Sequence, residues 1–152
     1  MKKEFSKNNL ASLYEQDYYQ WLVNTAEFLR SQRLSELDLA NLLEEIESMG
    51  RSEKSALESN LVVVLLHLIK WKYQPSMRSN SWKGSIREHR RRLRKALQNS
   101  PSLQPYLLEV FDECYHDGRE QAADETGLAL EYFPVESPFS VEESLNPDFL
   151  PE

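Results

Sequence analysis

The sequence predicts an all-α fold, a bundle of about five helices with an extended C-terminal tail. Apolar residues recur every three or four positions through most of the chain, and capping residues or prolines stand where those runs begin. With 40% hydrophobic and 28% charged residues and only 4 Gly among 152, the composition excludes collagen-like, elastomeric and generally disordered classes. The length is that of one ordinary domain, and folding at this size buries roughly 70% of the extended chain's surface, enough for a real core. The expected division is a flexible N-terminus over residues 1–13, a helical bundle domain over 14–133 and a tail over 134–152 that packs on the bundle.

Asp17 reads as the N-cap of a first helix running to Gln32, with Tyr18, Leu22, Thr25 and Leu29 along one face. A second helix is expected near Ser35, where Ser35 and Asp38 form a capping-box pattern and Leu34 can staple to Leu39. Leu39, Leu42, Leu43, Ile46 and Met49 make its buried stripe. Gly50 is the expected stop, in the left-handed conformation, and Ser52 caps a third helix that runs to about Tyr73. That helix, roughly 33 Å long at 1.5 Å per residue, is apolar on nearly every side from Leu61 onward and reads as the central one. Pro75 and its small polar neighbours turn the chain, and Ser79 or Ser81 caps a fourth helix. There Ile86, His89, Leu93, Ala96 and Leu97 share the side of Trp82, while Lys83, Arg87, Arg91, Arg94 and Lys95 point away.

Ser100 and Pro101 open a long fifth helix whose stripe runs Leu103, Leu107, Val110, Phe111, Cys114, Gly118, Gln121, Ala122 and Glu125. Gly118 costs about 1 kcal/mol relative to Ala in a helix interior, tolerable where another helix must approach closely. Beyond Phe133, prolines and a short capped turn from Ser140 to Leu145 give the tail, with Phe139, Leu145, Phe149 and Leu150 as anchors.

The net charge of −7 conceals a partition. Residues 1–69 hold 7 basic and 11 acidic groups, residues 70–95 hold 10 and 1, and residues 96–152 hold 1 and 13. The cations of the middle segment either face an external polyanion or are neutralised by the acidic third of the same chain or of a neighbouring copy, and the second destination is favoured. Cys114 is the only cysteine, so neither an intramolecular disulfide nor a multi-cysteine zinc site can form, and a cytoplasmic location is expected. Met1 to Leu10 carries lysines without an apolar stretch behind them, unlike a secretory signal. The greasiest segment, Leu61 to Ile69, is interrupted by His67 and falls far short of the ~20 apolar residues of a membrane span.

Three constellations are candidates for a site. Glu44, Glu45 and Glu47, with His67 on the next helix, form a carboxylate and imidazole cluster if those helices run antiparallel, as in metal-binding bundles. The Glu-x-x-His pattern of such bundles occurs once, as Glu113 and His116, and a second copy is missing. No metal is expected, and a buried histidine bonded to a carboxylate is the preferred outcome. His89 and Glu125 both stand on stripes that should be apolar, so each needs a partner, Glu125 meeting His89, Arg78 or Arg90. Structural pairing is the plainer outcome; the sharper one is a shallow pocket lined by Trp71, Trp82, His89 and Glu125 that binds a small polar ligand. Arg87, Arg90, Arg91, Arg92, Arg94 and Lys95, with Trp71, Tyr73 and Trp82 nearby, resemble the cations and stacking rings of a nucleic-acid footprint, against a chain that is acidic as a whole. No phosphate loop, nucleophile elbow or Ser-His-Asp order can be assembled, no Arg-x4-His spacing of helical ribonuclease toxins occurs, and Cys114 reads as a small buried hydrophobe.

Six ordered strings carry a family resemblance: YEQDYYQW from Tyr14, EEIESMG from Glu44, HLIKWKYQP from His67, RSNSW from Arg78, SPSL from Ser100 and ETGL from Glu125. Together they resemble the bacterial, largely cyanobacterial family known as domain of unknown function twenty-nine, over nearly the whole chain. The resemblance implies a compact helical protein and supplies no activity, cofactor or catalytic residue. The function expected from the residues is a non-enzymatic helical interaction module, acting on itself as a homo-oligomer or on another protein, away from membranes. A nucleic-acid-associated protein using the basic helix over 83–95 is the alternative, and a small-ligand or metal-binding helical protein the third.

Overall fold

The computed structural model describes the backbone from Lys7 to Glu152 and side chains from Leu10 onward. Residues 1–6, which carry part of the expected flexible N-terminus and of the stretch compared with a secretory signal, lie outside the described residues. Six α-helices follow one another without a strand among the described residues: α1 (Lys7–Gln16), α2 (Tyr18–Arg30), α3 (Leu39–Tyr73), α4 (Asn80–Asn99), α5 (Gln104–Thr126) and α6 (Val141–Leu145), joined by short 3-10 turns. The fold is an all-α helical bundle, as the periodicity predicts. Among the described residues no helix is long and apolar enough to cross a membrane. Contacts divide the chain into two compact units, Met1–Arg51 and Ser52–Glu152.

In the first unit, the Asp17 carboxylate accepts the Gln20 amide at 3.0 Å and starts α2 as expected. Part of the stretch expected to be flexible is helical: α1 brings Leu10, Leu13 and Tyr14 onto Trp21, Phe28 and Leu37. Trp21 and Phe28, seven residues apart, take the interior with Thr25. The predicted face through Tyr18, Leu22 and Leu29 is thereby corrected, because seating the two large rings rotates those three residues into solvent. Ser35 does not cap α3; Leu34–Glu36 is a 3-10 turn, and Asp38 stands before the helix, accepting from the Asn41 side chain at 2.6 Å and the Trp21 indole at 3.2 Å.

Gly50 does not stop the second predicted helix. The second and third predicted helices are one element of 35 residues, and the only glycine with positive φ is Gly127. A glycine ends a helix only if the chain turns out of it afterwards; here Arg51 reaches back to Glu44 at 2.7 Å and Glu47 at 3.9 Å and continues the helix. The predicted stripe of this segment is corrected as well. Only Leu42 packs against the unit's core, and Leu39, Leu43, Ile46 and Met49 are exposed.

In the second unit, Leu57, Leu61, Val64, Leu65, Leu68 and Ile69 of α3 form the core with Ile86 and Leu93 of α4 and Leu107, Phe111, Cys114 and Ala122 of α5. At Gly118 α5 approaches the α3 backbone closely: a Cβ there would lie 3.2 Å from the Leu66 amide nitrogen and 3.4 Å from the Val62 carbonyl oxygen. The Ser79 hydroxyl accepts the Trp82 amide at 3.2 Å and caps α4. Pro101–Leu103 forms a 3-10 turn, so the fifth helix starts at Gln104 rather than Pro101, and Gly127, at φ 72°, ends it. The tail packs on this unit through Phe139, which is buried in the same core as Phe133, with Leu145, Phe149 and Leu150 alongside. Ser140 and Glu143 form the capping box of α6.

Candidate functional site

Of the residues expected to form a polar cluster, Glu44 and Glu47 lie in the first unit, each exposed and paired with Arg51. They share one continuous helix with His67, so the antiparallel arrangement required for a common cluster does not exist. In the second unit His67 Nδ1 donates to the Val63 carbonyl of its own helix at 2.8 Å. Asn60 donates to the Ala56 carbonyl at 2.8 Å, which turns its Oδ1 toward His89; His89 Nδ1 donates to it at 2.7 Å. Burial, followed by electrostatic repulsion from the Arg92 side chain, pulls the His89 imidazole below its ordinary value. Among the described residues no group of three His, Cys, Asp or Glu side chains is placed to hold a metal ion.

Glu125 meets none of its expected partners. Its carboxylate accepts from Lys70 Nζ at 2.9 Å, and the same ammonium lies 4.6 Å from the centre of the Trp82 ring. Arg78 covers the other tryptophan, its guanidinium 4.9 Å from the Trp71 ring centre and its Nε bonded to the Trp71 carbonyl at 2.8 Å. The two tryptophans expected to line one pocket thus hold two different cations of the chain itself on their π faces. Lys70 and Asn60 are the partners the sequence did not single out; both occupy helix positions whose neighbours only the packing of α3 against α4 and α5 defines.

The basic surface resolves into three kinds of cation. Arg90 is not on it: it is 1% exposed, and its guanidinium donates to the main-chain carbonyls of Ser144 at 2.9 Å, Phe149 at 2.7 Å and Glu143 at 3.0 Å. These carbonyls close the last turn of α6 and the tail behind it, where no ladder supplies donors, so one planar fork satisfies three acceptors. Burial lowers this guanidinium to about 10, and it remains a cation at neutral pH. Arg91 and Arg92 pair with Glu88 on the same helix at 2.8 and 3.0 Å, holding that carboxyl down at about 2. Lys83, Arg87, Arg94 and Lys95 are exposed, and among the described residues none has a carboxylate within ion-pair distance. Arg91, Arg94 and Lys95 line, with Gln98 and Asn99, a shallow depression of about 450 Å³.

The acidic side is equally open. Glu109, Asp112, Glu113, Asp117, Glu120 and Asp124 stand exposed along α5 without an ion pair among the described residues. Asp112 and His116 line a cleft of about 520 Å³ with Tyr115, Glu136, Ser137 and Phe139. Glu113 and His116 therefore belong to a solvated helix face. Cys114 is buried, its thiol pushed up to about 12 by burial and nearby carboxylates, which leaves no thiolate for nucleophilic chemistry.

Fold and surface together define a small all-α protein with cations concentrated on one helix and carboxylates on the next. The chain belongs to the family described as domain of unknown function DUF29, whose model matches residues 13–150. No curated protein and no solved structure matches it.

Proposed function

We propose that this chain is a non-enzymatic helical interaction module, binding another copy of itself or another protein through its charge-segregated surface. The observation that carries this is the pair of unneutralised surfaces in the second unit. Lys83, Arg87, Arg94 and Lys95 on α4 and the carboxylate row on α5 are both exposed, and Lys70 with Glu125 is the one ion pair joining the basic segment to the acidic third among the described residues. Of the two destinations favoured together from sequence, the acidic third of the same chain or of a neighbouring copy, the first accounts for one pair only among the described residues. The remaining groups suit a partner surface of opposite sign, which steers association at low ionic strength and is screened over a Debye length of about 8 Å at physiological salt. A bacterial, cytoplasmic setting is part of this reading, and the buried, unpaired Cys114 suits such a reducing compartment.

The experiment is mass measurement of the full chain by light scattering across salt concentration, with absorbance at 260 nm recorded alongside. Assembly or partner capture that weakens as salt rises supports the module. The exposed cations around the depression at Arg91, Arg94 and Lys95 favour a second reading, nucleic-acid association. Under it, nucleic acid co-purifies, and Arg94→Glu with Lys95→Glu abolishes a mobility shift while leaving protein self-association unchanged.

A further inference from the structure

The first unit carries an apolar face that its own fold does not cover. Leu39, Leu43, Ile46 and Met49 are 59%, 57%, 58% and 65% exposed. Together they leave roughly 400 Å² of apolar side chain in solvent, about the apolar share of one partner's half of a standard interface and within the range of the largest patches on monomers. Leu39, Leu43 and Ile46 follow one another at four- and three-residue intervals, the spacing of a helix-packing seam, and the next position in that sequence is Gly50.

Gly50 is the second observation. It sits inside a 35-residue helix, where glycine costs about 1 kcal/mol relative to alanine, and it has no left-handed backbone to justify it. Among the described residues nothing lies within 4 Å of where its Cβ would be, so no close contact there requires the absence of a side chain. A glycine on an exposed apolar seam is what a second helix needs in order to approach closely.

We propose that this seam is a homodimer contact, in which the first halves of α3 from two copies pack antiparallel, Leu39 of each over Gly50 of the other and Leu43 against Ile46. The occupant is a second copy because the seam is complementary to its own reverse: a two-fold axis between Leu43 and Ile46 brings each large residue opposite a fitting one, as an isologous contact requires. The seam holds no charged residue, and the adjoining Glu44 and Glu47 are engaged by Arg51 of the same chain, so neither a polyanion nor a charged membrane surface is matched. This contact differs from the charged surfaces of the second unit in being apolar, and rising salt leaves it intact.

Sedimentation of the full chain between about 1 and 100 μM in 0.5 M salt tests it. The wild type should run at twice the chain mass at the upper concentration, and Ile46→Glu and Leu43→Glu, exposed and free to fold, should run as monomers with unchanged helix content by circular dichroism. Gly50→Leu should weaken the dimer at least tenfold while the dilute monomer melts no lower, since leucine favours the helix and meets nothing in its own chain. Mixing Leu39→Cys with Gly50→Cys chains under mild oxidation should cross-link the two variants to each other in preference to themselves, with buried Cys114 taking no part. A monomeric wild type at 100 μM in this salt, a dimer that survives both glutamates and Gly50→Leu, or like-with-like cross-links would overturn the proposal. A salt-sensitive assembly seen only at low ionic strength would overturn it too, while leaving the charged-surface reading standing.

Discussion

Arg90 is the residue on which the tail of the second unit most depends. One guanidinium serves three main-chain acceptors in a buried setting, so Arg90→Met removes the donors and strands three carbonyls. A loss of about 3–4 kcal/mol in denaturant-measured stability is expected, together with faster proteolysis within residues 134–152. Arg90→Lys recovers only part of this, because an ammonium cannot present the same fork. His89 supplies a pH dependence. Its folded-state value lies below the ordinary 6.5, so the unfolded chain takes up its proton first as pH falls. The contribution is present above pH 6.5 and is lost as pH drops below that value through the folded one. Calorimetry should show the melting temperature falling between pH 7.5 and 5, and His89→Gln should flatten that fall. Cys114, at about 12, should react with a disulfide reagent only as fast as the unit opens, and urea should restore full reactivity.

Among the elements, helix identity was legible where capping chemistry and periodicity agreed. Asp17, Ser79 of the Ser79 or Ser81 pair, and Ser140 at the head of the expected capped turn each mark a start found in the fold. The errors share a physical cause, the assumption that every apolar stripe is covered. In α2 the leucine stripe lost to Trp21 and Phe28, and in the first half of α3 the stripe has no neighbour within its unit, so neither rotation nor burial was fixed by the local pattern. Gly50 misled for a related reason: a glycine at an apolar seam and a glycine after a helix look alike in sequence, and only the following backbone distinguishes them. The site residues were hardest to place, since Lys70 with Glu125 and Asn60 with His89 are 55 and 29 residues apart, and such pairings are set by helix packing. Gly118 was legible because Cys114 and Ala122 flank it on its stripe at four-residue spacing, which keeps the helix running through it and leaves close approach of a neighbour as its use. Gly118→Val should destabilise the second unit by about 2–3 kcal/mol through overlap with Leu66 and Val62, read from a lowered denaturation midpoint at constant slope.

For the whole molecule, the segregation of charge along the chain survives folding as segregation of surface. The basic segment keeps Arg91 and Arg92 paired with the one carboxylate of Glu88, hides Arg90, and meets the acidic helix through one ion pair, Lys70 with Glu125, among the described residues. A net charge of −7 opposes nonspecific nucleic-acid binding, while the local cations permit directed contacts with acidic protein surfaces. The decisive measurement is light scattering of the purified full chain at 0.05 and 0.5 M salt, with the ratio of absorbance at 260 and 280 nm. Charge-directed association should give protein free of nucleic acid whose mass is larger at 0.05 M salt than at 0.5 M. A mass indifferent to salt would contradict charge-directed self-association, and nucleic acid that remains bound through purification would contradict the protein-interaction reading itself.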